Sequence, residues 1–250
     1  TENTAIGQAS LYTNSTGNYN TAVGRYALRL NSTGGENVAV GFESLEKCTG
    51  DYNTALGAYA MEENTSGAAN VAIGHRALDA NTTASYNIAI GKHSLTSNTT
   101  GAGNVAVGRR ALYTATTASY NVAIGYNALY TANSEGNVAI GLEALQVATG
   151  ANNTAVGYQA LAADTTGANN TALGYHALNR TTTGSYNVGV GYEALKDNTT
   201  AGTNTAIGYR ASKSNTTGNY NVAVGYHALE ENTTGVRNCA VGNNALDDNT

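Results

Sequence analysis

The sequence predicts an all-β fold, a parallel β-solenoid or β-roll of 15 coils of 16–17 residues, and three observations carry that expectation. The phrase Asn-(Thr/Val)-Ala-(Ile/Val/Leu)-Gly recurs from end to end, a Gly follows every anchoring Asn by four positions, and the strand part of each copy alternates with period two. The anchors are Asn3, Asn20, Asn37, Asn53, Asn70, Asn87, Asn104, Asn121, Asn137, Asn153, Asn170, Asn187, Asn204, Asn221 and Asn238. Their spacing is 17 residues except for three intervals of 16, from 37 to 53, 121 to 137 and 137 to 153. A unit this short holds neither a helix pair nor a leucine-rich repeat. Residues 1–250 are expected to form one repeat array without terminal caps, and 15 coils stacked about 4.8 Å apart would build a rod on the order of 70 Å long.

Each part of the unit has a physical reading. In Val38-Ala39-Val40 and Val122-Ala123-Ile124 the branched residues share one face and Ala takes the other. The branched face is expected inside, which leaves the Ala face to pack on sister chains, with Ala39, Ala72, Ala106, Ala123, Ala155, Ala206 and Ala223 as a subunit seam; the plainer alternative is that Ala faces a cramped part of its own coil. Gly189 is the one smaller residue at this place. The Gly after the strand marks a corner with positive φ or close backbone approach. A Leu four residues on, replaced only by Met61 and Ser212, points inward. The anchoring Asn residues form a structural ladder bonding along the stack. Strict alternation puts them on the Ala face, whereas a bend at the strand start would turn them to the corner, and both placements stay open.

The unit closes with Asn-Thr-Thr-Gly or a relative, read as an exposed outer turn because the shortened copies lose their residue there. Asn-x-Ser/Thr sequons fall in phase in this turn at Asn14, Asn31, Asn64, Asn81, Asn98, Asn198, Asn215 and Asn232, a row of candidate glycan acceptors, with others at Asn152, Asn169 and Asn179. The competing explanation is that Asn and Thr suit the turn. Cys48 lies in this turn, an exposed place on this reading, and Cys239 on the branched face reads as a small buried hydrophobe. Twelve coil rises, on the order of 58 Å, would keep the two from pairing.

Composition excludes several functions. Charged residues are 12% of the chain, the net charge is −5 and no Lys/Arg run exists, which disfavours nucleic acid. No apolar run is long enough to insert in a membrane. His75, His93, His176 and His227 take the variable edge places after the corner Gly, with no metal-ligand spacing, and no cofactor is implied. Carboxylates such as Glu43, Glu62, Glu143, Glu193 and Asp247 read as scattered over outer positions, so no enzyme is expected. Tyr is enriched before the anchor (Tyr19, Tyr52, Tyr86, Tyr120, Tyr186, Tyr220) and after the corner Gly (Tyr126, Tyr158, Tyr175, Tyr192, Tyr209, Tyr226). Such rows suit sugar binding, a subunit seam, or simple shielding of the coil edge.

Asn-Thr-Ala-Val-Gly-Tyr-Gln-Ala-Leu (153–161) and Asn-Val-Ala-Val-Gly-Tyr-His-Ala-Leu (221–229) resemble the repeats of bacteriophage tail-fibre-like proteins and, more distantly, the Val-Ala-Ile-Gly repeats in heads of YadA-like trimeric autotransporter adhesins. The resemblance implies a parallel β-roll wound as a homotrimer, extracellular, on a cell or virion surface, and used for attachment. The expected function is therefore the structural shaft of an extracellular fibre or filament, partnered by copies of itself and by a cell-surface or glycan receptor. The uncapped ends read either as a window on a longer fibre or as surfaces stacking head to tail into a filament. The alternative function is a self-standing binding solenoid that recognises glycan or ice through its Tyr and Thr ladders.

Overall fold

The repeated phrase folds as a three-residue strand ended by its glycine, and each strand pairs in parallel with the equivalent strand one repeat away. The computed structural model describes residues 2–249, among which there is no helix. The chain divides into two compact units, Thr1–Ile124 and Gly125–Thr250. The first carries β1 (Thr4–Ile6), β2 (Thr21–Val23), β3 (Val38–Val40), β4 (Thr54–Leu56), β5 (Val71–Ile73), β6 (Ile88–Ile90), β7 (Val105–Val107) and β8 (Val122–Ile124), paired in chain order. In the second, the short strands β9 (Thr131–Ala132) and β11 (Val147–Ala148) pair with each other where two successive shortened coils lose a turn residue. Its main strands are β10 (Val138–Ile140), β12 (Thr154–Val156), β13 (Thr171–Leu173), β14 (Val188–Val190), β15 (Thr205–Ile207), β16 (Val222–Val224) and β17 (Cys239–Val241), also paired in order. The fold is a parallel β-solenoid of about 14 turns, one fewer than the 15 repeats because the anchors bound the turns between them.

Register is strict: Ala22 lies beside Ala39 and Ala39 beside Ala55, so like residues stack on like. The corner explains why Gly never varies. Gly91 has φ +130°, and a Cβ there would sit 2.7 Å from the carbonyl carbon of Gly108 in the next coil, so both conformation and space exclude a side chain.

After the corner the backbone alternates between right- and left-handed residues, a feature that the repeat pattern alone does not announce. Tyr26 and Leu28 have φ of 64° and 49°, and the same two places are left-handed in coil after coil. Their N–H groups point in opposite directions along the stack: Tyr26 donates to Gln8 O at 3.0 Å and Leu28 to Ser44 O at 3.0 Å. A left-handed non-glycine residue costs roughly 1–2 kcal/mol, but burial of a Leu side chain contributes about 1.5–3 kcal/mol, so the buried Leu offsets its own strain. With the exception of Thr203, no β-branched residue occupies a left-handed position among the described residues. That exclusion is the one sequence trace of this geometry.

The interior reverses one expectation. Ala39, Ala72, Ala106, Ala123, Ala155, Ala206 and Ala223 are all fully buried within their own chain, so they form no subunit seam. The Ala face, with the Leu of the turn, is the core, and the branched residues face outward, as with Leu56 at 48% and Leu173 at 47% exposure. The physical reason is the thinness of the coil. At Gly189 even a methyl group would lie 3.1 Å from Leu178 Cγ and 3.2 Å from Ala194 O, so nothing larger than Ala fits opposite the Leu row. This is the cramped-coil alternative.

Candidate functional surface

Strict alternation holds at the anchor: Asn is two residues before Ala and shares its buried side. Each ladder Asn from Asn20 to Asn221 is at least 99% buried, while Asn3 and Asn238 are half-buried. The bonding within each unit is finer than an exchange of side-chain amides. The Oδ1 of one Asn accepts the backbone N–H of the next, as from Asn37 to Asn20 at 3.0 Å, and its Nδ2 donates to a turn carbonyl, as from Asn20 to Gly34 at 2.8 Å. A side chain thus replaces a strand bond at the point where the strand begins, and both ends of the buried amide have partners.

The candidate glycan row is a second interior ladder, which is a correction to the outer-turn reading. Asn31, Asn64, Asn81, Asn98, Asn198, Asn215 and Asn232 are fully buried, and Asn14 is half-buried. Asn31 closes its own turn, its Nδ2 donating to Gly34 O at 2.9 Å and its Oδ1 accepting the Gly34 N–H at 2.9 Å. Between coils, Asn81 Nδ2 donates to Asn64 Oδ1 at 2.7 Å and Asn98 Nδ2 to Asn81 Oδ1 at 3.1 Å. The side-chain nitrogen that a glycan would occupy is spent inside the coil. Only the Thr or Ser tip of this turn meets solvent, and its hydroxyls also bond along the stack, as Thr65 Oγ1 to Thr82 O at 2.8 Å. The off-phase sequons at Asn152 and Asn169 are exposed and Asn179 half-buried.

The two cysteines exchange their expected places for the same reason. Cys48 occupies the second-ladder position and is fully buried, receiving the Asn64 amide at 3.3 Å, and burial pushes its thiol up to about 11. Cys239 sits on the outward strand face, is exposed, and both thiols are free. In the coil of Asp164 the ladder carries a carboxyl group instead of an amide. Asp164 Oδ1 accepts the Gly167 N–H at 2.8 Å, but Oδ2 is buried without a partner, and desolvation raises the group to about 7.

Along the coil edge the aromatic rows resolve into different arrangements. Tyr158, Tyr175, Tyr192, Tyr209 and Tyr226 stack face to face at 5.0–5.2 Å with interplanar angles of 5–11°. His176 and His227 lie on the same stack at 4.0 Å from Tyr175 and Tyr226. In the first unit Phe42, Tyr59, His75 and His93 meet edge to face instead. All four His are therefore edge residues within aromatic ladders.

The carboxylates are less scattered than their sequence positions imply. Glu193 pairs with Lys196 at 2.7 Å and Arg210 at 3.1 Å, and Glu230 pairs with His227, with Arg210 and Lys213 each 3.9 Å away. Two groups, Glu43 with Glu46 and Glu62, and His227 with Glu230 and Asp247, bring ligand atoms within 4.8 Å of one another. Basic neighbours already engage the buried member of each, Arg29 on Glu46 and the Arg210–Lys213 pair on Glu230. Among the described residues no helix is long and apolar enough to cross a membrane. No protein-family model, curated protein or solved structure matches this chain.

Proposed function

We propose that the chain is the structural shaft of an extracellular fibre, on a cell surface or a virion, that carries an attachment function and assembles as a homotrimer. The observation that supports this most is the uniformity of the coil. The anchoring Asn ladder and the Gly corner recur in every coil and the inward Leu in all but two, and a chain with so repeated a cross-section suits a load-bearing or spacing role better than a singular reaction site. The resemblance of the repeats to tail-fibre-like and adhesin-head sequences supplies the extracellular setting and the three-fold number.

With the Ala residues inside, self-association must use another surface. The outward strand face supplies one: rows of Thr and Val beside rows of Val, Ile and Leu, flat and largely uncharged, with Ile88, Val38 and Ile207 among the exposed apolar residues. Light scattering coupled to size-exclusion chromatography tests the proposal. A mass near three times 25.5 kDa, lowered by Val105→Asp or Ile88→Asp, is the expected result, and a 25.5 kDa monomer at micromolar concentration overturns the trimer.

A further inference from the structure

Between Asp51 and Tyr120 the edge before the anchoring Asn repeats every second coil. Asp51-Tyr52, Ser85-Tyr86 and Ser119-Tyr120 alternate with Ala68-Ala69 and Ala102-Gly103. The first member of each polar pair clamps the coil before it, Gly35 N–H donating to Asp51 Oδ1 at 2.7 Å, Ala68 N–H to Ser85 Oγ at 3.0 Å and Ala102 N–H to Ser119 Oγ at 3.1 Å. The Tyr side chain takes no part in this clamp. Its backbone is left-handed, φ 59–63°, and its ring stands in water, exposed by 59% in Tyr52, 73% in Tyr86 and 69% in Tyr120.

We infer that Tyr52, Tyr86 and Tyr120 form a binding strip for a neutral, extended polysaccharide of the β-1,4-linked kind. Two coil rises separate successive rings by about 9.6 Å, and among the described residues none of the three makes ring contact with another aromatic, so ring faces are available, unlike those of the stacked row at Tyr158 to Tyr226. Only small residues, Ala68, Ala69, Ala102 and Gly103, stand between the rings, and the Tyr120 ring leans over Gly103, where a methyl group would come within 2.9 Å of its Cδ1. Asp51 beside Tyr52 is the one charge at the strip's own positions, and from Ala68 to Tyr120 they carry none, which suits a neutral ligand over an ionic one. Ser85 and Ser119 accept backbone N–H groups, a role that leaves each hydroxyl its proton to donate. Aromatic faces for sugar C–H surfaces, with hydroxyls beside them, are the complement of a pyranose. An extended β-1,4-linked chain turns the same face outward at every second residue, an interval close to two coil rises.

The strip is independent of the trimer proposed above, since it lies at the turn edge and not on the strand face. The test is affinity electrophoresis of the full chain through gels containing hydroxyethylcellulose, and pull-down on cellulose and chitin, with amylose as the coiled α-linked comparison. Retention by a β-1,4-linked glycan is expected, weakened about tenfold by Tyr86→Ala, abolished in the Tyr52→Ala/Tyr86→Ala/Tyr120→Ala variant and kept by Tyr192→Ala. The melting temperature of the triple variant should stay within a few degrees of the parent, because the rings are exposed. Lack of retention by every β-1,4-linked glycan, or equal retention by the triple variant, overturns the inference. So does a triple variant whose particle mass falls, which would assign the rings to contact between copies.

Discussion

The Oδ1 of Asn87 accepts the backbone N–H of Asn104 at 3.0 Å, and the same oxygen receives the Asn104 amide at 3.2 Å. Asn87 in turn donates its Nδ2 to Gly101 O at 3.0 Å and its own N–H to Asn70 Oδ1 at 2.9 Å. One side chain therefore joins a strand start, a turn and the following coil. Asn87→Ala leaves the Asn104 N–H buried without this partner, at a cost of about 1–3 kcal/mol, whereas the Gly101 carbonyl keeps the Asn98 amide at 2.9 Å. A urea midpoint shifted by the equivalent of about 1–3 kcal/mol is expected, and an unchanged midpoint would show that the ladder contributes little.

Asp164 makes the stability of its coil depend on pH. Ala148 and Thr181 occupy the same ladder place in the adjacent coils, so no charge faces the carboxyl. Its folded value of about 7 lies above the roughly 3.9 of an unfolded Asp, so between these values the folded chain binds more protons. Stability is accordingly lost as pH rises from about 4 through about 7 and levels off above. Asp164→Asn restores the donor to Gly167 O that Asn31 makes to Gly34 O. It should raise stability by about 1–3 kcal/mol at pH 8 and by far less at pH 5, as read from urea unfolding at the two pH values.

Two glycines separate backbone constraint from side-chain crowding. Gly91→Ala pushes a methyl group into the Gly108 carbonyl at φ +130°, and a loss of about 3 kcal/mol or more, or failure to fold, is expected. Gly103→Ala at φ +67° meets only the movable ring of Tyr120, and about 1 kcal/mol is expected. Thermal melts of the pair check the order, which must not invert.

Thiol labelling reads the inside and outside of the coil directly. A maleimide at neutral pH should modify Cys239 alone in the native chain and both thiols in urea, because Cys48 is fully buried and held protonated. Rapid native labelling of Cys48 would contradict the interior position of the second ladder.

Much of the architecture is legible in the order of residues. An Asn that recurs every 16 or 17 residues and a Gly four places later specify a stacked coil, its register and its corner, because a repeat that cannot bury its own apolar face must stack on its neighbour. The inward Leu and the structural role of the Asn anchors follow from the same regularity. The candidate surface is less legible. The Ala seam and the glycan row were expected outside and lie inside, and the alternate-coil Tyr row becomes visible as a strip only once the clamping role of Ser85 and Ser119 separates the two members of each pair.

Period-two alternation states that Ala39 and Val40 face opposite ways, but it carries no sign. Which of them faces inward depends on the width left when the coil closes, and a coil whose left-handed turn brings the Leu row against the strand has room for a methyl group and no more. Closure therefore sends Val, Ile and Thr outward, draws Asn31 and Cys48 inside, and leaves Tyr52, Tyr86 and Tyr120 standing in solvent. Repetition along the chain suffices for the stack and its register; only the three-dimensional closure of each turn decides which atoms water can reach.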